Sequence, residues 1–225
     1  MSKAALLPFE PRKTPRQARS TESVSAIKQA TIQVLLQQGK SKLTTTRIAE
    51  RAGVSVGTLY QYFPNKNSVL KAVLEEHLDN VALAMETTCE AARGGSIAQM
   101  AEAVALGYVE AKFRNVDAGV ALYAISDQLE GRHIARRLYT RASRAMVAMF
   151  GTARGRVVAE PEIVASTLLS AMAGVSRSML EDGVTRGTMA RMRQQLTVMV
   201  RAYLQASSKK VLRVPAVTRN TPKAP

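Results

Sequence analysis

The stretch Gly53-Val54-Ser55-Val56-Gly57 has the G-x-S-x-G spacing of a nucleophile elbow, where a strained strand-to-helix turn exposes a serine oxygen for acyl transfer. That chemistry needs a histidine to take the proton and an acid to orient it. The chain has only His77 and His133, and the order Ser55, Asp127, His133 is formally available. An elbow also needs a buried strand ahead of the serine. Thr46-Arg47-Ile48-Ala49-Glu50-Arg51-Ala52 instead has helical spacing, with charges that a buried strand excludes. No glycine-rich oxyanion loop and no run of parallel strands accompanies it, so a serine hydrolase is the most remote reading of Ser55.

The same letters describe a helix-turn-helix without remainder. Two helices that cross steeply need a small residue at the crossing, and Ala49 supplies it. The turn needs positive φ, which Gly53 tolerates. Val54 and Leu59 fill the angle above Ile48 and Ala52, and Ser55 caps the second helix. Val56, Gly57, Thr58 and Gln61 are then left facing solvent. Gly57 costs a helix about 1 kcal/mol relative to alanine, a cost that the close approach of a groove wall would justify. Tyr60, Tyr62 and Phe63 gather three of the chain's ten aromatics within four positions.

The elements that must hold this motif also read as helix. Ile27, Ala30, Val34 and Leu35 form one stripe of residues 21–38, stopped by Gly39. Thr44 caps a short helix ended by Gly53. Asn65 caps a long one from Lys66 to about Arg93, and Ser96 with Gln99 forms a capping box for the next, to about Arg114. Further helices are expected from Asp117 to Glu130, from beyond Gly131 to Ala153, from Pro161 to Asp182, and from a Thr188 cap to about Ala206. No strand pattern is visible, so the fold class is all-α, with about nine helices.

Charge points to the partner. The 225 residues carry a formal +15, of which +4 lies in residues 1–20 and +5 in residues 206–225. An excess of this size favours a polyanion, either nucleic acid or an anionic membrane surface. Lys3, Arg12, Lys13, Arg16 and Arg19 fall among Pro8, Pro11 and Pro15, so residues 1–19 are expected to be a disordered arm able to lie on phosphates. Residues 207–225 are expected to be a disordered solubilising tail. A single cysteine, Cys89, argues for a reducing compartment. No secretory signal and no run of about 18 apolar residues is apparent, so a cytoplasmic protein without a membrane partner is expected. Two histidines and one cysteine without ligand spacing imply no metal and no cofactor.

Thr44 to Leu70, TTTRIAERAGVSVGTLYQYFPNKNSVL, resembles the signature of the TetR (tetracycline-repressor-like) family of bacterial transcription regulators. The likeness runs from about Arg19 to His77 and departs at Arg47, where many members have an acid. A basic residue opposes the helix dipole there and would gain most by reaching phosphate. The resemblance implies a DNA-binding domain over 20–80, with the motif at about 43–62, and no enzymatic activity. It implies that Thr44, Thr45, Tyr60, Tyr62 and Lys66 contact phosphate; Arg47 and Arg16 are expected to join them on the ground of charge alone. It implies that Ser55, Val56, Gly57, Thr58 and Gln61 face the groove. Gln61 could read adenine, and Thr58 or Val56 a thymine methyl. With no Arg, Lys or Asn on this helix, much of the specificity is expected from DNA shape.

Residues 81–206 would then be a ligand-binding and dimerisation domain. Met189, Met192, Leu196, Met199 and Tyr203 repeat at alternating spacings of three and four, a heptad seam. Val164, Leu168, Met172, Val175 and Met179 do likewise in the preceding helix, with Ala171 and Gly174 permitting close approach. Both seams are expected at a homodimer interface, with internal packing as the alternative. Met85, Cys89, Tyr108, Phe113, Tyr123, Met146 and Phe150 are the bulky or soft candidates for an effector pocket, and core packing would equally explain each. The expected function is a repressor that binds a palindromic double-stranded operator as a homodimer and is released by a small molecule. An effector-independent dimeric regulator is the alternative.

Overall fold

The computed structural model describes residues 15–126, 131–182 and 185–210. They form helices α1 (Pro15–Gln38), α2 (Thr45–Ala52), α3 (Val56–Tyr62), α4 (Lys66–Ala91), α5 (Ile97–Lys112), α6 (Val116–Ser126), α7 (Gly131–Phe150), α8 (Pro161–Asp182) and α9 (Arg186–Ala206), with strands β1 (Arg156–Val158) and β2 (Ser208–Lys210). The all-α class stands. Arg12, Lys13, Asp127 and the tail beyond Lys210 lie outside the described residues.

The chain divides into two compact units, residues 1–77 with 120–131, and residues 78–119 with 132–225. In the first, Ile27, Ala30, Thr31, Val34 and Leu35 recur at helical spacing on α1 and are buried. Thr31 belongs there because its hydroxyl donates to the Ile27 carbonyl at 2.7 Å. Gly39 ends the helix at φ 74°. The expected arm of residues 1–19 is corrected at its C-terminal end. Pro15 opens α1, because a proline in the first turn gives up no hydrogen bond and brings φ already set for helix.

In the second unit α5 packs along α9, and α8 also packs on α9. The core is built from Met85, Met100, Met146, Met149, Leu168 and Met172, with Tyr108 fully buried among them. Methionine's three torsions fill gaps that a tryptophan-free chain leaves. Gly107 has a local reason: a Cβ there would lie 2.5 Å from the Thr88 hydroxyl on α4, so only glycine admits this approach of α5. Arg141 of α7 grips α4, bonding both carboxylate oxygens of Glu86 at 2.9 and 2.7 Å and reaching Asp79.

Three details differ from expectation. The cap of α9 is Thr185, whose hydroxyl accepts from Thr188 N–H, so Thr188 is the third helical residue rather than the cap. Residues 208–210 are not a free tail but a strand, antiparallel to β1, with Val158 opposite Ser208 and Arg156 opposite Lys210. A three-residue strand is too short to show alternation in the sequence. Finally, α8 over Pro161–Glu181 is long and apolar enough to cross a membrane by length and composition, although only 39% of that window is buried. Its apolar total was masked by interspersed Ser166, Thr167, Ser170 and Gly174, which occupy its exposed side.

Candidate nucleic-acid interface

Thr44 begins the motif with extended backbone and accepts from Arg47 N–H at 3.2 Å. Ile48 and Ala49 then bury one face of α2. The helix ends on Gly53 at φ 68°, ψ 28°, with Val54 N–H returning to the Ala49 carbonyl at 3.0 Å and Gly53 N–H to Glu50 at 3.2 Å. That pair of bonds is a Schellman closure, and the left-handed residue at its centre is why glycine stands there.

Ser55 caps α3. Its hydroxyl oxygen accepts from Thr58 N–H at 2.9 Å and lies 2.8 Å from the Thr58 hydroxyl. Those two bonds, and the helix rather than strand that precedes it, replace the nucleophile reading with a structural one. Leu59 is fully buried and Phe63 nearly so. Gln61, Gly57 and Tyr60 remain exposed, Tyr60 by half, while Val56, Thr58 and Tyr62 are partly covered. A Cβ on Gly57 would meet only the Ser55 hydroxyl, at an ordinary 3.7 Å. Nothing inside the protein demands glycine at this place.

The flanks carry the cations and hydroxyls. Thr45 lies 3.2 Å from Tyr60 through their hydroxyls. Lys66, exposed at the start of α4, reaches the Leu43 carbonyl at 3.4 Å, and Asn65 caps that helix by accepting from Ser68 N–H at 2.9 Å. The Arg47 guanidinium donates to the Lys42 carbonyl at 2.9 Å, which holds it beside the turn preceding α2. Arg51 is tied back to Gln33 of α1 at 2.7 Å. Arg16 falls in the first turn of α1, and its side chain lies outside the described residues.

The other nominated residues sort differently. Met85 and Tyr108 line a cavity in the second unit, together with Leu78, Val81, Ala82, Lys112, Ala135, Leu138, Tyr139, Ala142 and Leu169. This cavity is partly open to solvent. Cys89, Phe113, Met146 and Phe150 are buried away from it, and burial pushes the Cys89 thiol up to about 12. Tyr123 is half-buried on the part of α6 that belongs to the first unit. Lys112 and Tyr139 were missed. Lys112 had a signal, since it stands four residues after Tyr108 on an otherwise apolar stripe of α5.

The seams are corrected in part. Val164, Leu168, Met172, Met192 and Leu196 are buried within the chain's own second unit, where α9 packs along α5 and α8 packs on α9. Ala171, Met179, Met189, Met199 and Tyr203 are half-covered, and only Gly174 and Val175 stand exposed. Ile163 and Val198, each more than half exposed, lie off the seams. No group of three metal-ligating side chains occurs among the described residues.

A short helix set on a left-handed turn, its core side locked and its outer side unused, defines a helix-turn-helix DNA-binding protein. The family model described as bacterial regulatory proteins, tetR family, matches residues 27–73, and that for the tetracyclin repressor-like C-terminal domain matches residues 96–204. Together they take in more than two thirds of the chain. The nucleoid occlusion factor SlmA of Haemophilus ducreyi is 39% identical over 59 residues, 24% of this chain and 29% of that protein. The HTH-type transcriptional regulator YvkB of Bacillus subtilis is 37% identical over 59 residues, 26% and 31% of the two chains. The chain thus spans less than a third of the length of these curated relatives. A crystal structure of a TetR family transcription regulator from Marinobacter aquaeolei VT8 superimposes with a TM-score of 0.61 at 18% identity, over 83% of this chain and 97% of that one. This chain belongs to the TetR family, non-enzymatic DNA-binding regulators of transcription.

Proposed function

We propose that the protein is a repressor that binds a palindromic operator as a homodimer in the bacterial cytoplasm and leaves it when a small molecule occupies the second unit. The observation that carries the DNA side is the outer face of α3. Gly57 and Gln61 are exposed there, and no internal contact requires a glycine. Gln61, Thr58 and Val56 are the base-reading candidates, and Thr44, Thr45, Arg47, Tyr60, Tyr62 and Lys66 the phosphate-binding ones, with Ser55 setting the helix.

One seven-residue helix buries too little for tight binding, so two copies are required, with reading helices about 34–36 Å apart or a multiple of it. Five of the seam residues are spent on internal packing, so the outward sides of α8 and α9, with Ile163, Gly174, Val175 and Val198, supply the pairing surface. An effector is favoured over an effector-free regulator by the cavity of the second unit, where a buried tyrosine hydroxyl lacks a bond of good geometry. Selection from randomised duplexes, followed by sizing of the complex, tests this reading. The expected result is one palindrome bound by two chains; recovery of no preferred sequence, or of a one-chain complex, overturns it.

A further inference from the structure

The cavity bounded by α4, α5, α7 and α8 has walls of hydrocarbon into which three polar side chains intrude. Tyr108 is fully buried, and its hydroxyl makes no hydrogen bond of good geometry, although the hydroxyls of Tyr139 and Ser176 stand close. Lys112 sits one helical turn further along the same face of α5. Burial pulls its ammonium below the usual lysine range, and no carboxylate among the described residues pairs with it. Three acids of this unit are engaged elsewhere: Glu86 and Asp79 of α4 hold Arg141, and Glu110 of α5 itself holds Arg193 at 3.2 Å.

A cation on an apolar wall without a partner is costly, and a buried donor without an acceptor adds to that cost. The group that relieves both is acceptor-only and negatively charged. An amine would be repelled by Lys112, a neutral ligand would leave the ammonium unpaired, and a dianion would bury a second charge with nothing to meet it. Resting on the reading that the second unit takes an effector, we propose that the cavity binds a compact monocarboxylate. Its carboxylate lies between Lys112 and the Tyr108 hydroxyl, and its apolar body lies against Val81, Met85, Leu138 and Leu169.

The test is calorimetric titration of the full-length, DNA-free protein with octanoate, 1-octanol and octylammonium, which share a body and differ in head group. Octanoate is expected to bind at least about tenfold more tightly than octanol, the gain of a charge-assisted bond, and octylammonium more weakly than either. Lys112→Met should abolish the preference for octanoate over octanol while octanol still binds. Lys112→Arg should keep the preference. Tyr108→Phe, which removes one oxygen from a filled core position, should weaken octanoate by several-fold. Equal binding of acid and alcohol by the unaltered protein, or an unchanged preference in a folded Lys112→Met, overturns the proposal. If Lys112→Met does not fold, Tyr108→Phe decides in its place. Operator release is read separately. Octanoate that binds but leaves the operator occupied supports this site and removes effector release, whereas release by an amine or alcohol alone keeps release and overturns the carboxylate.

Discussion

The hydroxyl of Thr45, in the first turn of α2, lies 3.2 Å from the phenolic oxygen of Tyr60 on α3, and both groups face solvent. This bond ties the start of one helix to the outer side of the next. A tyrosine held in this way presents its hydroxyl at a set position, so an approaching phosphate meets an ordered hydroxyl rather than a free rotor. Tyr60→Phe should therefore weaken binding to every duplex by a similar factor, since phosphate contacts position without specifying. Lys66→Ala should behave alike. Competition against unrelated DNA measures both, and a change of preferred sequence in either variant contradicts the assignment.

Gln61 is proposed for the other class, the base readers. Its exposed amide can bond an adenine edge in two places, so Gln61→Ala should change preference at one base pair per half-site by about 1–3 kcal/mol. Binding to a panel of single-substitution operators reads this directly. Uniform weakening across the panel would place Gln61 on the backbone instead.

Gly57 separates folding from recognition. A Cβ there meets nothing closer than 3.7 Å, so Gly57→Ala should stabilise the free protein by up to about 1 kcal/mol through helix propensity. The same methyl should weaken operator binding if, as proposed, the groove wall approaches this position. Thermal unfolding and operator titration of one variant give both signs. A variant that is more stable and binds as well as the parent removes the close-approach argument.

Gly107 should show the opposite stability effect. Three side-chain atoms of Thr88 lie within 3.1 Å of its missing Cβ, and a β-branched residue has little room to turn away. Gly107→Ala is expected to cost about 1–3 kcal/mol by overpacking, less the propensity gained. Urea unfolding checks the sign.

For the basic arm the structure moves the boundary. With α1 beginning at Pro15, a deletion of residues 1–14 removes Lys3, Arg12 and Lys13 and leaves the helix whole. If Arg12 and Lys13 both neutralise phosphates, the slope of log K against log salt should fall by about 0.9 per contact, near two units per chain. An unchanged slope would leave DNA affinity to the folded residues.

The first unit was legible because each of its structural residues has a local cause. Gly53 needs positive φ, Ser55 needs an N–H three residues on, and Ile48, Leu59 and Phe63 need the core whatever surrounds them. The second unit depends on which helix meets which. Heptad spacing on α8 and α9 marked stripes that include the buried Val164, Leu168, Met172, Met192 and Leu196, but periodicity does not say whether a stripe's partner is another chain or another helix of the same one. Lys112 was passed over because a lysine at a helix C-terminus ordinarily serves the dipole in water. Only the packing of α4, α7 and α8 around it turns that commonplace position into an apolar one.

The pairing of Arg156–Val158 with Ser208–Lys210 has a mechanical consequence. It closes a ring of chain around α8 and α9, reinforced where Arg156 donates to the Ser208 hydroxyl at 2.8 Å and to the Gln205 carbonyl at 3.3 Å. Each helix is thus anchored at the end remote from their mutual connection, so one cannot swing fully away from the other while this buckle is closed. Thermal openings of α8 and α9 are thereby coupled into one event rather than two. A surface offered jointly by the two helices keeps its shape under load, as a clasped strap does where two loose ends would slide.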